Sequence, residues 1–251
     1  IFNEAQRQGR VAFYLTSRGE EACAVASAAA LGDADWILPQ YREMGAALWR
    51  GMTFEQIANQ LTANAADGGK GRQLGLHIGD KSKHYLYVKS PLGTHLPQAA
   101  GAAYLSRLLK EERVAIAYFG EGTSSEGDTP SGFNIAAVHG CPTLFFCRNN
   151  GYAISTNARD QYRSDGVGPR GDAEHARNLA VDVPASESTE VCRGGAGAFR
   201  ARQVQRPRFD HAQTPRRVSA SAERLARSKP NLDESSRRLI QERVRHPLEH
   251  E

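Results

Sequence analysis

Two apolar runs, each closing in a glycine-bearing polar turn, constrain this chain more than anything else in it. Residues 114–118 lead into Phe119-Gly120-Glu121-Gly122, and residues 143–147 lead into Arg148-Asn149-Asn150-Gly151-Tyr152. Each run is a strand ending in a turn, and a helix starting near Ser124 or Ser125 joins the two. Parallel strands connected by a helical crossover place both turns at the same edge of the sheet, where α/β proteins bind ligands. The pattern predicts an α/β fold, a doubly wound parallel sheet with flanking helices. The carboxylate of Glu121 and the amide of Asn150 then converge on one point.

The groups at that point decide what it can hold. Glu121 offers a hard carboxylate oxygen and Asn150 a neutral amide oxygen, a pair suited to an octahedral Mg²⁺ that keeps water and takes its other ligands from phosphate. The glycines let the backbone approach a phosphate, and the free amides of the following helix point at an anion. Arg148 adds a permanent cation with a bidentate fork. Taken singly, Glu121 is a helix-capping carboxylate and Asn149-Asn150-Gly151 an ordinary turn. Their spacing, behind two apolar strands, favours a metal-diphosphate site.

Gly-acid-Gly followed after 26 intervening residues by Asn-Asn resembles the thiamine diphosphate motif, with Glu where most of that superfamily has Asp. The blocks 118–122 and 146–156 resemble the alpha subunit of branched-chain 2-oxo acid dehydrogenases. So do Gln40-Tyr41-Arg42-Glu43, Lys70-Gly71-Arg72-Gln73, Ser90-Pro91-Leu92 and Gln161-Tyr162-Arg163, in the same order along the chain. The likeness covers roughly residues 10–171.

The resemblance implies thiamine diphosphate and Mg²⁺ as cofactors. Glu121, the Asn150 side chain and the Tyr152 carbonyl would bind the metal, while Gly122, Thr123 and Arg148 would contact the diphosphate. Tyr41 and Arg42 match family residues that reach the diphosphate, and Ser90 and Leu92 match a segment lining the bent cofactor. A family potassium site falls on Lys89, Pro91, Thr94 and His95. Lysine for serine and histidine for glutamine argue against K⁺ there. The activating glutamate belongs to the beta subunit, so no catalytic residue is assigned to this chain.

Implied partners are that beta subunit in an α₂β₂ assembly, a lipoyl acyltransferase core, and a small 2-oxo acid. The Lys-Gly-Arg-Gln block leans the substrate class to branched chains. A pyruvate or acetoin dehydrogenase alpha subunit is the neighbouring reading, and a fragment that no longer catalyses is the other alternative. The compartment would be the mitochondrial matrix in a eukaryote or the cytoplasm in a bacterium.

Elsewhere the pattern predicts helices at 19–31 and at 94–110, the second carrying small residues for close packing on a sheet. Thr53-Phe54-Glu55-Gln56 has the capping-box pattern, with its helix running to about Asn64. The glycine-rich stretch 65–83 reads as a loop or lid. His77 and His84, near that loop, read as hydrogen-bonded structural histidines. Cys23, Cys141, Cys147 and Cys192 lack metal-site or framework spacing and read as reduced thiols.

The 251 residues, 40% hydrophobic, suit a globular chain with no apolar run of membrane-spanning length. The sequence opens on Ile1, so an N-terminal targeting segment or extension would lie ahead of it. Residues 1–171 read as a partial thiamine diphosphate-binding domain. Residues 172–251 read as a divergent or frame-shifted basic tail, poorly ordered with some helix. That stretch carries 14 arginines, one lysine and 12 acidic residues. So small an excess of positive charge gives too weak a field for nucleic acid. The family's histidine loop and phosphorylated serine have no match within it.

Overall fold

The computed structural model describes residues 1–163, 167 and 180–184. The expectations for the tail lie outside these residues, apart from one strand. In chain order the elements are α1 (Phe2–Arg7), α2 (Glu21–Ala30), β1 (Trp36–Leu38), α3 (Met44–Trp49), α4 (Phe54–Leu61), α5 (His95–Leu108), β2 (Ala115–Gly120), α6 (Asp128–Val138), β3 (Thr143–Asn149), β4 (Tyr152–Ala153), β5 (Thr156–Asn157), α7 (Ala158–Gln161) and β6 (Ala180–Pro184). The main sheet runs β1-β2-β3-β6, with every neighbouring pair parallel.

Alternation along the strands builds a core on each face. Ile37, Ile116, Tyr118, Leu144 and Phe146 point to one side and meet Ala24 and Ala28 of α2, Ala46 and Ala47 of α3, and Ile57 and Leu61 of α4. Leu38, Ala115, Ala117, Phe119, Phe145 and Cys147 point to the other and meet Leu96, Ala99, Ala100 and Ala103 of α5 with Phe133 and Ala136 of α6. Both faces are covered, which is why the strands read as unbroken apolar runs. Each large side chain so buried contributes about 1.5–3 kcal/mol. Helices on both sides of an all-parallel sheet make the predicted doubly wound architecture.

Local chemistry sets the helix ends. Thr53 Oγ1 accepts from the Gln56 amide at 3.1 Å, and Gln56 Oε1 accepts from the Thr53 amide at 2.8 Å, completing the capping box. In α6, a Cβ on Gly132 would stand 3.0 Å from Leu96, so the glycine lets α5 and α6 approach closely. The helix expected from Ser124 or Ser125 instead begins at Asp128. Residues 121–125 form a 3₁₀ turn, Glu126 is extended, and Thr129 Oγ1 donates to the Thr123 carbonyl at 2.8 Å, which ties the helix to the turn.

The 65–83 loop is not free throughout. Leu76, His77 and Ile78 are buried, and the Val88 amide donates to the Ile78 carbonyl at 3.2 Å. A Cβ on Gly79 would come within 2.6 Å of Tyr87 Cα, so the backbone there lies against its neighbour. This part of the loop is packed structure, and the lid reading does not extend to it. Cys23, Cys141 and Cys147 are buried and outside any disulfide among the described residues, while Cys192 lies outside the described residues. Among the described residues no helix is long and apolar enough to cross a membrane.

Candidate functional site

The register between β2 and β3 opposes Gly120 to Arg148, so the Glu121 turn and the Asn149-Asn150 turn leave adjacent strands at one edge. Glu121 is fully buried. Gln161, at the end of α7, donates from Nε2 to its two carboxylate oxygens at 3.3 and 3.2 Å. The next residue must be glycine. A Cβ on Gly122 would stand 2.6 Å from Ala153 Cβ and 3.0 Å from its Cα. The β4–β5 hairpin therefore lies directly on the turn, and this brings Tyr152, itself half exposed, beside Glu121 and Gly122.

A carboxamide missing from the predicted set fastens the edge together. Gln40, buried two residues past β1, accepts at Oε1 from the Gly120 amide at 2.9 Å and from Arg148 Nη2 at 3.2 Å. Its Nε2 donates to Thr123 Oγ1 at 3.1 Å. One side chain thus splices the ends of β1, β2 and β3 to the 3₁₀ turn. Glu43 supports it, accepting from the Gln40 amide at 2.8 Å.

Arg148 is buried between two carboxylates, forming ion pairs with Glu20 through Nη1 and with Glu43 through Nε. Burial alone would lower its pKa, but the two carboxylates overcome this and raise it, so the guanidinium stays charged. Tyr85 donates its hydroxyl to the Glu43 carbonyl at 3.1 Å. Burial, with the Glu43 charge, pushes that phenol well above its ordinary range.

Asn150 faces the same network. Its Nδ2 donates to Glu20 at 3.4 Å, while its Oδ1 accepts from the Tyr152 amide at 3.1 Å. The other expected residues divide. Tyr41 adjoins Gln40 and stacks under Arg42 at 5.4 Å, but Arg42 itself donates to the Thr16 carbonyl at 2.7 Å. Ser90 bonds His77. Leu92 is partly exposed, and its neighbour Gly93 brings the segment to the turn, since a Cβ there would meet Thr123 Cγ2 at 3.6 Å. At the doubtful potassium position, Thr94 Oγ1 donates to the Pro91 carbonyl at 3.2 Å, and His95 Nε2 hydrogen-bonds the Tyr118 carbonyl at 2.7 Å.

The family model described as "Dehydrogenase E1 component" matches residues 1–191. The chain belongs to this family. Among curated relatives, this E1 chain is 52% identical over 182 residues to "2-oxoisovalerate dehydrogenase subunit alpha 1, mitochondrial" of Arabidopsis thaliana, covering 72% of this chain and 39% of that one. To "2-oxoisovalerate dehydrogenase subunit alpha, mitochondrial" it is 51% identical in Caenorhabditis elegans, with 72% and 42% covered, and 50% in Homo sapiens, with 72% and 41%. The E1 chain spans about two fifths of the length of the curated relatives it matches.

Gln40 and Glu43 were within reach of sequence reasoning, because they flank Tyr41 and Arg42 in a single matching block. Their role was not, since it depends on partners 80 and 108 residues away. Among the described residues no cluster of three or more His, Cys, Asp or Glu side chains could hold a metal. The expected ligand set has a different composition, with one carboxylate, one carboxamide and one backbone carbonyl.

Proposed function

We propose that this chain is the alpha subunit of a branched-chain 2-oxo acid dehydrogenase, and that residues 1–171, with β6 continuing their sheet, form its thiamine diphosphate-binding domain. The observation that carries the reading is the convergence of the Glu121 and Asn150 turns on one edge of adjacent parallel strands, with Gly122 held against Ala153. The relatives' names, 2-oxoisovalerate dehydrogenase alpha subunits, support the branched-chain substrate class. Their mitochondrial designation supports the matrix as the compartment in a eukaryotic source.

The residues present fit the cofactor. Glu121, the Asn150 carboxamide and the Tyr152 carbonyl are hard oxygen donors of the kind Mg²⁺ takes alongside phosphate and water. Gly122, Thr123 and Arg148 would hold the diphosphate, with Tyr41 and Arg42 reaching it from the β1 side. Ser90 and Leu92 would line the ring portion. When bound, thiamine diphosphate supplies the carbanion that attacks a 2-oxo carbon and the electron sink that releases carbon dioxide.

The chain's own work is binding and orientation. Gln40 holds the turn and the end of β3 in register, so that the anchoring groups are in place before substrate arrives. Buried Glu43 and Glu20 fix the Arg148 guanidinium. The proton-transferring glutamate would come from a beta subunit in an α₂β₂ assembly, and the acyl group would pass to the lipoyl group of an acyltransferase core.

Titration calorimetry of thiamine diphosphate with Mg²⁺ into the chain co-expressed with a beta subunit tests the proposal, with 3-methyl-2-oxobutanoate decarboxylation assayed on the same sample. Binding with turnover is expected, and Glu121→Ala or Asn150→Ala should abolish metal-dependent binding. Unchanged binding in both variants would reject the assignment, and binding without turnover would leave a non-catalytic fragment.

A further inference from the structure

We propose that Gln161 is a positioning residue that makes Glu121 a one-oxygen ligand and so sets which divalent cation the site prefers; the inference rests on the cofactor reading above. The Gln161-Tyr162-Arg163 block has no part in the binding roles given so far. Gln161 Nε2 lies 3.3 and 3.2 Å from the two Glu121 carboxylate oxygens and 3.3 Å from the Thr156 carbonyl oxygen. The Thr156 carbonyl can only accept, so the nitrogen end of the carboxamide faces this side. The oxygen end faces Ser125 Oγ, 3.5 Å away. One side chain thus joins the hairpin, the 3₁₀ turn and the buried carboxylate.

The frame around Gln161 aims it. Gln161 ends α7, which follows β5 directly. The Ala158 amide donates to the Gly151 carbonyl at 2.9 Å, and Asn157 Oδ1 accepts from the Arg159 amide at 3.1 Å, so the helix is tied to the hairpin and capped. The contact of Gly122 with Ala153 seats that hairpin on the turn carrying Glu121. Glutamate has one more side-chain torsion than aspartate. A glutamate ligand therefore gains more from a fixed partner that orders its carboxylate in advance.

The place of Nε2 decides how a cation can approach. It is almost equidistant from the two Glu121 oxygens, and hydrogen bonds accepted by a carboxylate lie near its plane. A cation chelated by both oxygens also lies in that plane, equidistant from the pair, and the Gln161 amide fills that side. A cation is left with a single oxygen. Mg²⁺ suits this, because it is small, demands near-octahedral geometry and keeps several waters. Ca²⁺ is larger, gathers more oxygens and takes both from one carboxylate where it can, so it loses a donor here.

Titration calorimetry of thiamine diphosphate into the chain with its beta subunit tests this, run in excess Mg²⁺ and again in excess Ca²⁺. The wild-type heteromer should bind more tightly with Mg²⁺. In Gln161→Ala the Mg²⁺-supported affinity should fall about tenfold or more, the usual effect of removing the hydrogen-bond partner of a metal ligand. The Ca²⁺-supported affinity should change by less than about twofold, because chelation by both oxygens offsets the lost support. Gln161→Asn keeps the carboxamide but is one methylene too short to reach, so it should match Gln161→Ala and serves if that variant does not fold. Affinities lowered alike for both metals would mark Gln161 as a structural prop and overturn the proposal. Unchanged Mg²⁺-supported binding, or a wild type without preference, overturns it as well. Each of these leaves the cofactor reading intact when Glu121→Ala still abolishes Mg²⁺-supported binding. Failure of the wild-type heteromer to bind with either metal rejects the cofactor reading, and this inference with it.

Discussion

Glu43→Ala should be among the most damaging single changes in this domain. Glu43 is fully buried and forms an ion pair with Arg148, which is 4% exposed, so the substitution leaves a guanidinium in the interior short of one counter-charge. Removing one partner of such a pair costs about 3–5 kcal/mol. Glu20, whose side chain is 14% exposed, still reaches Arg148 and places the expected loss toward the lower end. The Gln40 amide also loses its acceptor at 2.8 Å, which adds about 1 kcal/mol. A total near 4 kcal/mol should move the midpoint of urea unfolding by roughly 2 M at an ordinary slope. Trp36 and Trp49, in β1 and α3, provide the fluorescence signal.

Glu43→Gln keeps an acceptor for Gln40 and should lose only about 2 kcal/mol. The paired replacement Glu43→Leu with Arg148→Met removes both charges and should be much milder than Glu43→Ala. Because the folded pKa of Arg148 is raised, its contribution is fully present below the ordinary arginine range and is lost only above it. The cost of Glu43→Ala should therefore not depend on arginine titration at any working pH. A loss below about 1 kcal/mol, or a double variant as unstable as the single one, would refute the argument.

Other expectations follow from single contacts. Gly122→Ala must push the β4–β5 hairpin off the turn, costing about 1–3 kcal/mol in thermal unfolding, and Gly122→Ala with Ala153→Gly should recover part of it by restoring room. Burial lowers the pKa of His95, a shift the Tyr118 hydrogen bond opposes and Lys89 reinforces. The unfolded chain therefore takes up the proton first, and stability present above about pH 6.5 should fall as pH drops below it. His95→Gln should flatten that part of the stability–pH curve, and an unchanged slope would exclude His95 as its source. Thr53→Ala removes the acceptor of the capping box and should cost about 1 kcal/mol in chemical unfolding, with cofactor binding unchanged.

What could be read in the sequence was set by sequence distance. β2, β3 and the helices around Ala99 and Thr53 announce themselves because composition and caps are local signals. β1 does not, because three residues carry no period and their partners, Ala115, Ile116 and Ala117, lie far along the chain. The helix after β2 was misplaced by a few residues because Ser124 and Ser125 look like caps, whereas the 3₁₀ turn that holds Glu121 ends before the helix can start. That the Glu121-Gly122 and Asn150 turns share one edge was legible, since each follows an apolar run and a helical crossover makes the two strands parallel. Gln40, Glu43 and Glu20 were not, because the meaning of a buried polar residue lies in the partner it meets.

The same network says how an anion can be accommodated at this edge. Three carboxylates gather there, Glu20, Glu43 and Glu121, and Arg148 is already shared between two of them. Arg42, the next cation in sequence, is turned to the Thr16 carbonyl. A diphosphate arriving alone would add negative charge to a region where the charge of buried Arg148 is already balanced by two carboxylates, in surroundings where charges are weakly screened. Under the reading proposed above, a divalent cation held by Glu121 would reverse the sign on one side of the site and offset the charge of a phosphate. On these terms metal and diphosphate would bind as a pair. The buried carboxylates would then serve two ends, holding Arg148 in one orientation and disfavouring any anion that arrives beside it without a cation.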